Sequence, residues 1–391
     1  MSDQSALREE FRDWLSEHQR GEFARYSTEP VVGTRLVPPE VSIAWERELA
    51  TGRWVGITIP QEFGGRGLSI DAELAFFEEY ARSRAMPRLP TIGESLLAPT
   101  LLAAVSLELQ QRFLPPIVAA TELWCQGYSE PGAGSDLASL RTKATLDGDH
   151  WVISGQKVWT TWAHLADWCF VLARTGEQEA RHRALTYLIV PMDQPGIEVR
   201  PINQATGETE YCEVFFDGAR TAAGNIVGTV GRGWDVAMAT LGFERGTGAI
   251  GMQLSFEREF EGLLDLARSH GSLRDPVLRD ALMRSWIELR LMRATLDRSL
   301  PSILAGHPGP EASVSKLAWS SWYQRFGELA MRIRGMSGEV SQVDPGPGGS
   351  TRTALDNVQR AFLFGRAVTI YAGSNEIQRS IVAERTLGLP R

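Results

Sequence analysis

The sequence predicts a mixed fold in three successive regions, helical, strand-rich and helical again, and three observations carry that reading. Between residues 5 and about 120, apolar side chains recur three and four apart, as in Phe11, Trp14 and Leu15 and again in Leu74, Phe76, Phe77 and Tyr80. Between about 123 and 227 the pattern breaks into short strand-like runs at 151–154, 168–172, 186–190 and 212–216. From Gly231 onward, long helical periodicities return. With 391 residues and 43% hydrophobic content the chain can bury a large core, and it should divide into two or three packed units.

In the first region, residues 59–69 carry Pro60, Gly64, Gly65 and Gly67 and read as a loop that enters a helix near Ser69 or Asp71. These glycines do not follow a strand of a βαβ unit, so they read as a plain loop rather than a dinucleotide-binding turn. In the second region, turn signals stand at Asp147-Gly148-Asp149, Pro195-Gly196 and Asp217-Gly218. Several short strands within about a hundred residues suggest a sandwich or a barrel. In the third, the Pro/Gly-rich stretch at 344–350 reads as a loop.

Charge and cysteine usage narrow the function classes. Forty Lys/Arg against forty-eight Asp/Glu give a net charge of −8, and no basic block is dense enough to track a nucleic-acid backbone. A few arginines still suffice to hold one phosphorylated ligand. No apolar run approaches the roughly 20 residues of a membrane span, and the polar N-terminus does not read as a leader, so a cytoplasmic location is expected. Cys125, Cys169 and Cys212 show no C-x-x-C spacing for zinc or a redox dithiol; they read as buried, reduced thiols, and no metal site is expected.

Three segments hold residues suited to chemistry. Residues 128–136 (Tyr-Ser-Glu-Pro-Gly-Ala-Gly-Ser-Asp) fit either an interdomain turn or a cradle of backbone N–H groups for an anionic ligand. Residues 155–162 place Trp159, Thr160 and Thr161 at a strand end, as core packing or as a flat wall with hydroxyl donors. Residues 369–379 form a loop that starts a helix at Ser374 or Asn375, with Gln378 three residues after Asn375 as a capping-box partner.

In this order and in a chain of this organisation, the three segments resemble the acyl-CoA dehydrogenase family, along essentially the whole sequence. Residues 60–67, 212–217 and 381–390 match as well. The resemblance implies an α+β multidomain fold: an N-terminal all-α domain (1–122), a middle β-barrel (123–228) and a C-terminal four-helix bundle (229–391). It also implies FAD held between barrel and bundle, an acyl-CoA substrate, and electron-transferring flavoprotein as acceptor. The implied assembly is a homotetramer or an α2β2 hetero-oligomer. Carried over by position, Tyr128, Ser129, Gly134 and Ser135 would contact the flavin or the ligand beside it, Ser135 also facing substrate. Trp159 and Thr161 would border the isoalloxazine near N5, and Ser374 and Glu376 would meet the cofactor from the C-terminal loop. Arg268 is the candidate for the pyrophosphate of a neighbouring subunit's FAD, although the family's Arg-x-x-Phe-Gly reads Arg268-Ser-His-Gly271 here. The family's contacts to the adenine end are altered to Arg332 and Gly335-Met336.

Dehydrogenation of a thioester needs a carboxylate to take the α-proton. Many family members carry it just before the Gly of the C-terminal loop, where this chain has Ala372. In branched-chain and long-chain members the glutamate instead precedes an arginine on a bundle helix, which corresponds here to Glu244, followed by Arg245. Gly248 and Gly251 lie four and seven residues on and would leave a groove beside it on one helix face. The Ala372 N–H can still bind the thioester carbonyl, because that role needs no side chain, and Arg245 would position helix or ligand. A small residue at 372 suits branched or bulky acyl groups. Two rivals share the scaffold: a flavin monooxygenase, and a non-catalytic partner subunit of a hetero-oligomer.

Overall fold

The computed structural model describes residues 3–27, 32–33, 36–89, 91–243, 248–304, 311–340, 342–345 and 351–390. Helices α1 (Asp3–His18), α2 (Glu22–Arg25), α3 (Pro39–Thr51), α4 (Ile70–Arg82), α5 (Ala98–Ala104) and α6 (Leu107–Val118) come first. The glycine-rich loop ends at Ser69, the N-cap of α4, whose hydroxyl accepts the Ala72 N–H at 3.4 Å. Asp71 and Glu73 in the first turn and Arg82 in the last complement the helix dipole. On α1, the expected stripe buries Phe11 and Leu15 against Trp45, Trp54 and Phe76, with Phe11 edge-on to Trp54 and Phe76 at 5.0 Å. Each such side chain contributes about 1.5–3 kcal/mol of burial.

The strand region supplies β1 (Trp124–Gly127), β2 (Lys143–Asp147), β3 (His150–Thr161), β4 (Trp168–Arg174), β5 (Leu185–Pro191), β6 (Ile197–Pro201), β7 (Tyr211–Ala222) and β8 (Ile226–Val227). They form one eight-stranded sheet in the order β6-β7-β3-β2-β4-β5-β8, with β1 parallel to β4. The sheet rolls so that β5 and β7 approach, and the Thr221 hydroxyl donates to the Ile189 carbonyl at 2.6 Å. Along β4, Cys169, Val171 and Ala173 fill the interior, while Phe170 and Leu172 pack outward on Leu97, Leu101, Phe113 and Ile117. Burial on both faces explains why 168–172 reads as an unbroken apolar run. The three cysteines are buried and free, and burial pushes the Cys125 thiol up.

Of the expected turns, Gly148 (φ +63°) and Asp149 form the two-residue β2–β3 loop, and Gly196 (φ +85°) lies between β5 and β6. Asp217-Gly218 is not a turn: it lies within β7, where Ile153 pairs with Ala219 and Ser154 with Asp217. Gly218, at φ +73°, is the extra residue of a β-bulge. A glycine with positive φ serves either structure.

The bundle follows as α7 (Gly233–Phe243), α8 (Gly248–Ser269), α9 (Pro276–Leu304), α10 (Glu311–Arg334), α11 (Asn357–Phe364) and α12 (Asn375–Ile381). Its core joins Phe256, Phe260 and Leu263 of α8, Leu282 and Leu289 of α9, and Trp322 and Phe326 of α10. Asp344 and Pro345, expected in a loop, instead end strand β9 (Gln342–Pro345), which pairs with β10 (Thr351–Ala354); residues 346–350 lie outside the described residues. Among the described residues no helix is long and apolar enough to cross a membrane.

The first helices dock on the bundle through Leu74 and Ala81 against Leu254 and Leu296. Glu78 bridges Arg8 at 2.5 Å and Arg293 at 3.1 Å. Deeper in, the Glu259 carboxyl accepts the Gly33 N–H at 2.9 Å and the Tyr323 hydroxyl at 3.1 Å. Burial raises its pKa from about 4.5 to about 7, against the pull of those two hydrogen bonds. A carboxyl whose folded pKa is raised makes the folded state less stable as pH rises from about 4.5 through about 7. The full effect is on the order of 3 kcal/mol. Glu259→Gln should therefore shrink the fall in Tm between pH 5 and pH 8 followed by circular dichroism; an undiminished fall would place the titration elsewhere.

Candidate functional site

The strand β1 runs into the 128–136 loop, which closes on itself through reciprocal backbone bonds between Glu130 and Ala133, both 3.0 Å. Gly132, Gly134, Ser135 and Asp136 are exposed, and a Cβ added at Gly132 or Gly134 would meet nothing within 4 Å. The loop thus presents an open face. Tyr128 departs from this: its ring is buried, edge-on to Phe170 at 5.9 Å and Tyr187 at 6.1 Å, so that only its backbone faces the loop. Under the loop lie two residues that the sequence reading passed over, Glu130 and Lys157, joined at 2.9 Å. The Ser129 carbonyl accepts the Val158 N–H at 2.9 Å, tying the loop to β3.

The end of β3 is irregular where the flat wall is expected. Between the pairs Lys157–Val214 and Thr160–Cys212 one residue more stands on β3 than on β7. This bulge holds Trp159 at φ +60°, a left-handed conformation that costs a bulky residue about 1–3 kcal/mol, and leaves the residue 58% exposed. An exposed tryptophan held in strained backbone is a stronger pointer to a ligand than the sequence motif alone. Trp159 meets the Tyr211 ring edge-on at 6.2 Å. Burial, then the Glu210 charge, pushes the Tyr211 hydroxyl far up, and Tyr371 of the C-terminal loop lies close enough to add to that shift.

The C-terminal loop rests on α10. Asn375 accepts the Ser320 hydroxyl at 2.8 Å and donates to Ser321 at 3.1 Å, while Lys316 donates to the Val368 carbonyl and lies over the Tyr371 ring at 4.9 Å. Ala372 (φ +51°) and Gly373 (φ +81°) are both left-handed. The N-cap is Ser374, which accepts the Ile377 N–H at 3.4 Å, so Gln378 is not the capping-box partner. It turns back instead and donates to the Ala372 carbonyl at 3.2 Å. A capping box does form at the start of α11, between Asp356 and Gln359. Glu376 is exposed and 3.5 Å from Arg379.

The structure therefore brings the 128–136 loop, Trp159 with Thr161, and the 371–376 loop to one region. It does not bring Arg268 there: that side chain is 61% exposed near the end of α8, beside Asp265 at 2.5 Å. Arg332 and Met336 are likewise exposed. Glu244 and Arg245 lie outside the described residues, between α7 and α8. Gly251, expected to open a groove beside Glu244, faces Phe77 of α4, which a Cβ would meet at 3.9 Å. Among the described residues no cluster suits a metal ion. A flat polar cofactor fits the open face: the indole of Trp159 is uncovered, and in the adjoining strands Gln126 Nε2 and Thr160 Oγ1 are buried without a hydrogen-bond partner among the described residues.

Comparison with known proteins agrees with this geometry. Family models for the N-terminal, middle and C-terminal domains of acyl-CoA dehydrogenase match residues 1–121, 125–219 and 231–387. The chain is 50% identical to acyl-CoA dehydrogenase IpdE1 of Mycobacterium tuberculosis, over 100% of this chain and 99% of the relative. Two solved structures are each 28% identical over 100% of this chain and 98% of theirs. One is the Tcur3481-Tcur3483 steroid ACAD (TM-score 0.83), the other the ChsE4-ChsE5 complex from Mycobacterium tuberculosis (TM-score 0.79).

Replacing Gln378 by Ala removes the bond to the Ala372 carbonyl from a fully buried side chain. This should cost about 1–2 kcal/mol, read as a lower Tm, and speed hydrogen exchange at residues 370–375. Unchanged exchange there would show that other contacts hold the loop.

Proposed function

The chain belongs to the acyl-CoA dehydrogenase family, and from that premise we propose that it binds FAD and desaturates a bulky acyl-CoA between its α and β carbons, with Glu244 as the base. The observation that carries the reading is Trp159, strained and uncovered beside Tyr211, with the Ala372 loop closing on the same region. We read 1–122, 123–228 and 229–391 as the three domains.

Ser129, Gly134 and Ser135 would hold the flavin side of the site through the open loop, with Tyr128 contributing backbone only. Trp159 would form the wall beside the ring, Thr161 would reach toward N5, and Ser374 and Glu376 would meet the cofactor from the C-terminal loop. Arg268, turned outward on this chain, would serve a neighbouring subunit's FAD. The Ala372 N–H would polarise the thioester carbonyl, which acidifies the α-carbon, and Arg245 would orient the ligand. Glu244 would take the α-proton as the β-hydrogen leaves as hydride, for which bound FAD supplies the acceptor at N5.

The small side chain at 372 leaves room for a large acyl group. The steroid acyl-CoA dehydrogenase among the structural relatives points the same way, so a ring-bearing or α-branched thioester is the proposed substrate. Electron-transferring flavoprotein is the proposed acceptor, and the cytoplasm the proposed location. On α9, Met283, Ile287 and Leu291 are 53%, 52% and 62% exposed, in line along the helix with Trp286. Such a stripe suits burial against another chain, in a homotetramer or an α2β2 assembly.

Two measurements test this. Anaerobic reduction of the bound flavin by acyl-CoA should slow by about a hundredfold to ten-thousandfold in Glu244→Gln while the visible spectrum persists; an unchanged rate would assign the base elsewhere. Across a panel of thioesters, ring-bearing and 2-methyl-branched acyl groups should bleach the flavin faster than straight chains. A preference for straight chains would remove the substrate proposal.

A further inference from the structure

At the base of the 128–136 loop, Lys157 is 0% exposed, and its ammonium donates to the Tyr128 carbonyl at 3.0 Å, the Glu130 carboxylate at 2.9 Å and the Leu172 carbonyl at 2.8 Å. Its three N–H groups thereby join two points of the loop, Tyr128 and Glu130, to strand β4. The Glu130 carboxylate in turn accepts the Arg141 N–H at 2.6 Å and the Thr142 N–H at 2.9 Å, which fixes where the chain leaves the loop. Burial works against this carboxylate, yet the Lys157 charge and its hydrogen bonds hold its pKa below the ordinary value. Gly127 lies against the same stem: a Cβ there would crowd Cys169 Sγ at 3.0 Å and Val171 Cγ2 at 3.3 Å and would only touch Lys157 Cγ, at 3.5 Å.

A buried pair of this kind adds little stability over a well-packed apolar pair of the same volume. What it supplies is direction, since both ends of the loop are held by charge-assisted hydrogen bonds. Two residues beyond Lys157 stands Trp159, and the intervening Val158 N–H is bonded to Ser129. The ammonium therefore sets the loop and the tryptophan wall relative to each other.

We propose that Lys157 and Glu130 are positioning residues for the FAD site, holding the 128–136 loop in register with Trp159 and Thr161. The inference rests on the FAD-binding reading above. Neither side chain reaches the open face, so both act through the segments they tie together.

The test compares Lys157→Met and the isosteric Glu130→Gln with Glu46→Gln, a control that unpairs an equally buried carboxylate from Arg88 (2.7 Å) in the first helical region. For each holoenzyme, Tm, the FAD dissociation constant after removal and readdition of FAD, and the visible spectrum are recorded. The expected result is a tenfold or greater loss of FAD affinity and a shifted flavin band in both site variants. Glu46→Gln should lower Tm and leave FAD affinity within twofold of wild type. Should Lys157→Met fail to fold, Glu130→Gln decides. Wild-type affinity and spectrum in Glu130→Gln would overturn the inference, as would an equal loss of affinity in Glu46→Gln. Wild-type protein that holds no FAD would instead overturn the reading beneath it.

Discussion

A single ammonium inside the barrel, that of Lys157, joins segments that are far apart in sequence and adjacent at the open face. An unpaired charge in such a place would be prohibitive, so its three acceptors, the Glu130 carboxylate among them, are a condition of the fold. Once they are in place, the bulge after Lys157 projects Trp159 outward, and the loop from Ser129 to Asp136 has one position open to it. The strain at Trp159 is tolerated because the strands on either side over-determine it.

The helical regions serve that barrel from two sides. Phe113, Leu114 and Ile117 of α6, with Val236 and Ala237 of α7, cover the outer faces of β4 and β5. The remaining bundle helices build their own core around Trp322 and Phe326 and carry the loop of Tyr371 and Ala372 back toward Tyr211. Glu78 and Glu259 tie the first region to this bundle, one by ion pairs at its surface and one by a buried hydrogen bond to Gly33.

Much of this was legible in the sequence because simple periodicities survive in it. The stripe of α1, the cap at Ser69, the apolar runs of β4 and β5 and the buried cysteines follow from pattern and composition. Errors arose where one residue type serves two geometries. Gly218 has the positive φ of a turn but sits in a bulge, and Gln378, expected as a capping-box partner of Asn375, donates instead to the Ala372 carbonyl, because Ser374, the other expected start, caps α12. The Lys157–Glu130 pair was illegible for a different reason. Lysine is seldom buried, and its partner lies 27 residues away, beyond the reach of local pattern. The motif residues of the open face were named from family resemblance, and the structure adds their surroundings; Glu244 and Arg245 rest on sequence alone.

The bulge at Gly218 also bears on how the chain tolerates changes of length. Along β7, buried positions fall at 212, 214 and 216 and then at 219 and 221, so the alternation skips a beat at the glycine. Removing that one residue would restore strict alternation and leave every neighbour on its present face, still opposite its present partner in β3. An insertion or deletion elsewhere in the strand would turn one flank inside out. Position 218 is therefore a slack link in the ladder, a place where the chain could lose one residue while the barrel keeps its register.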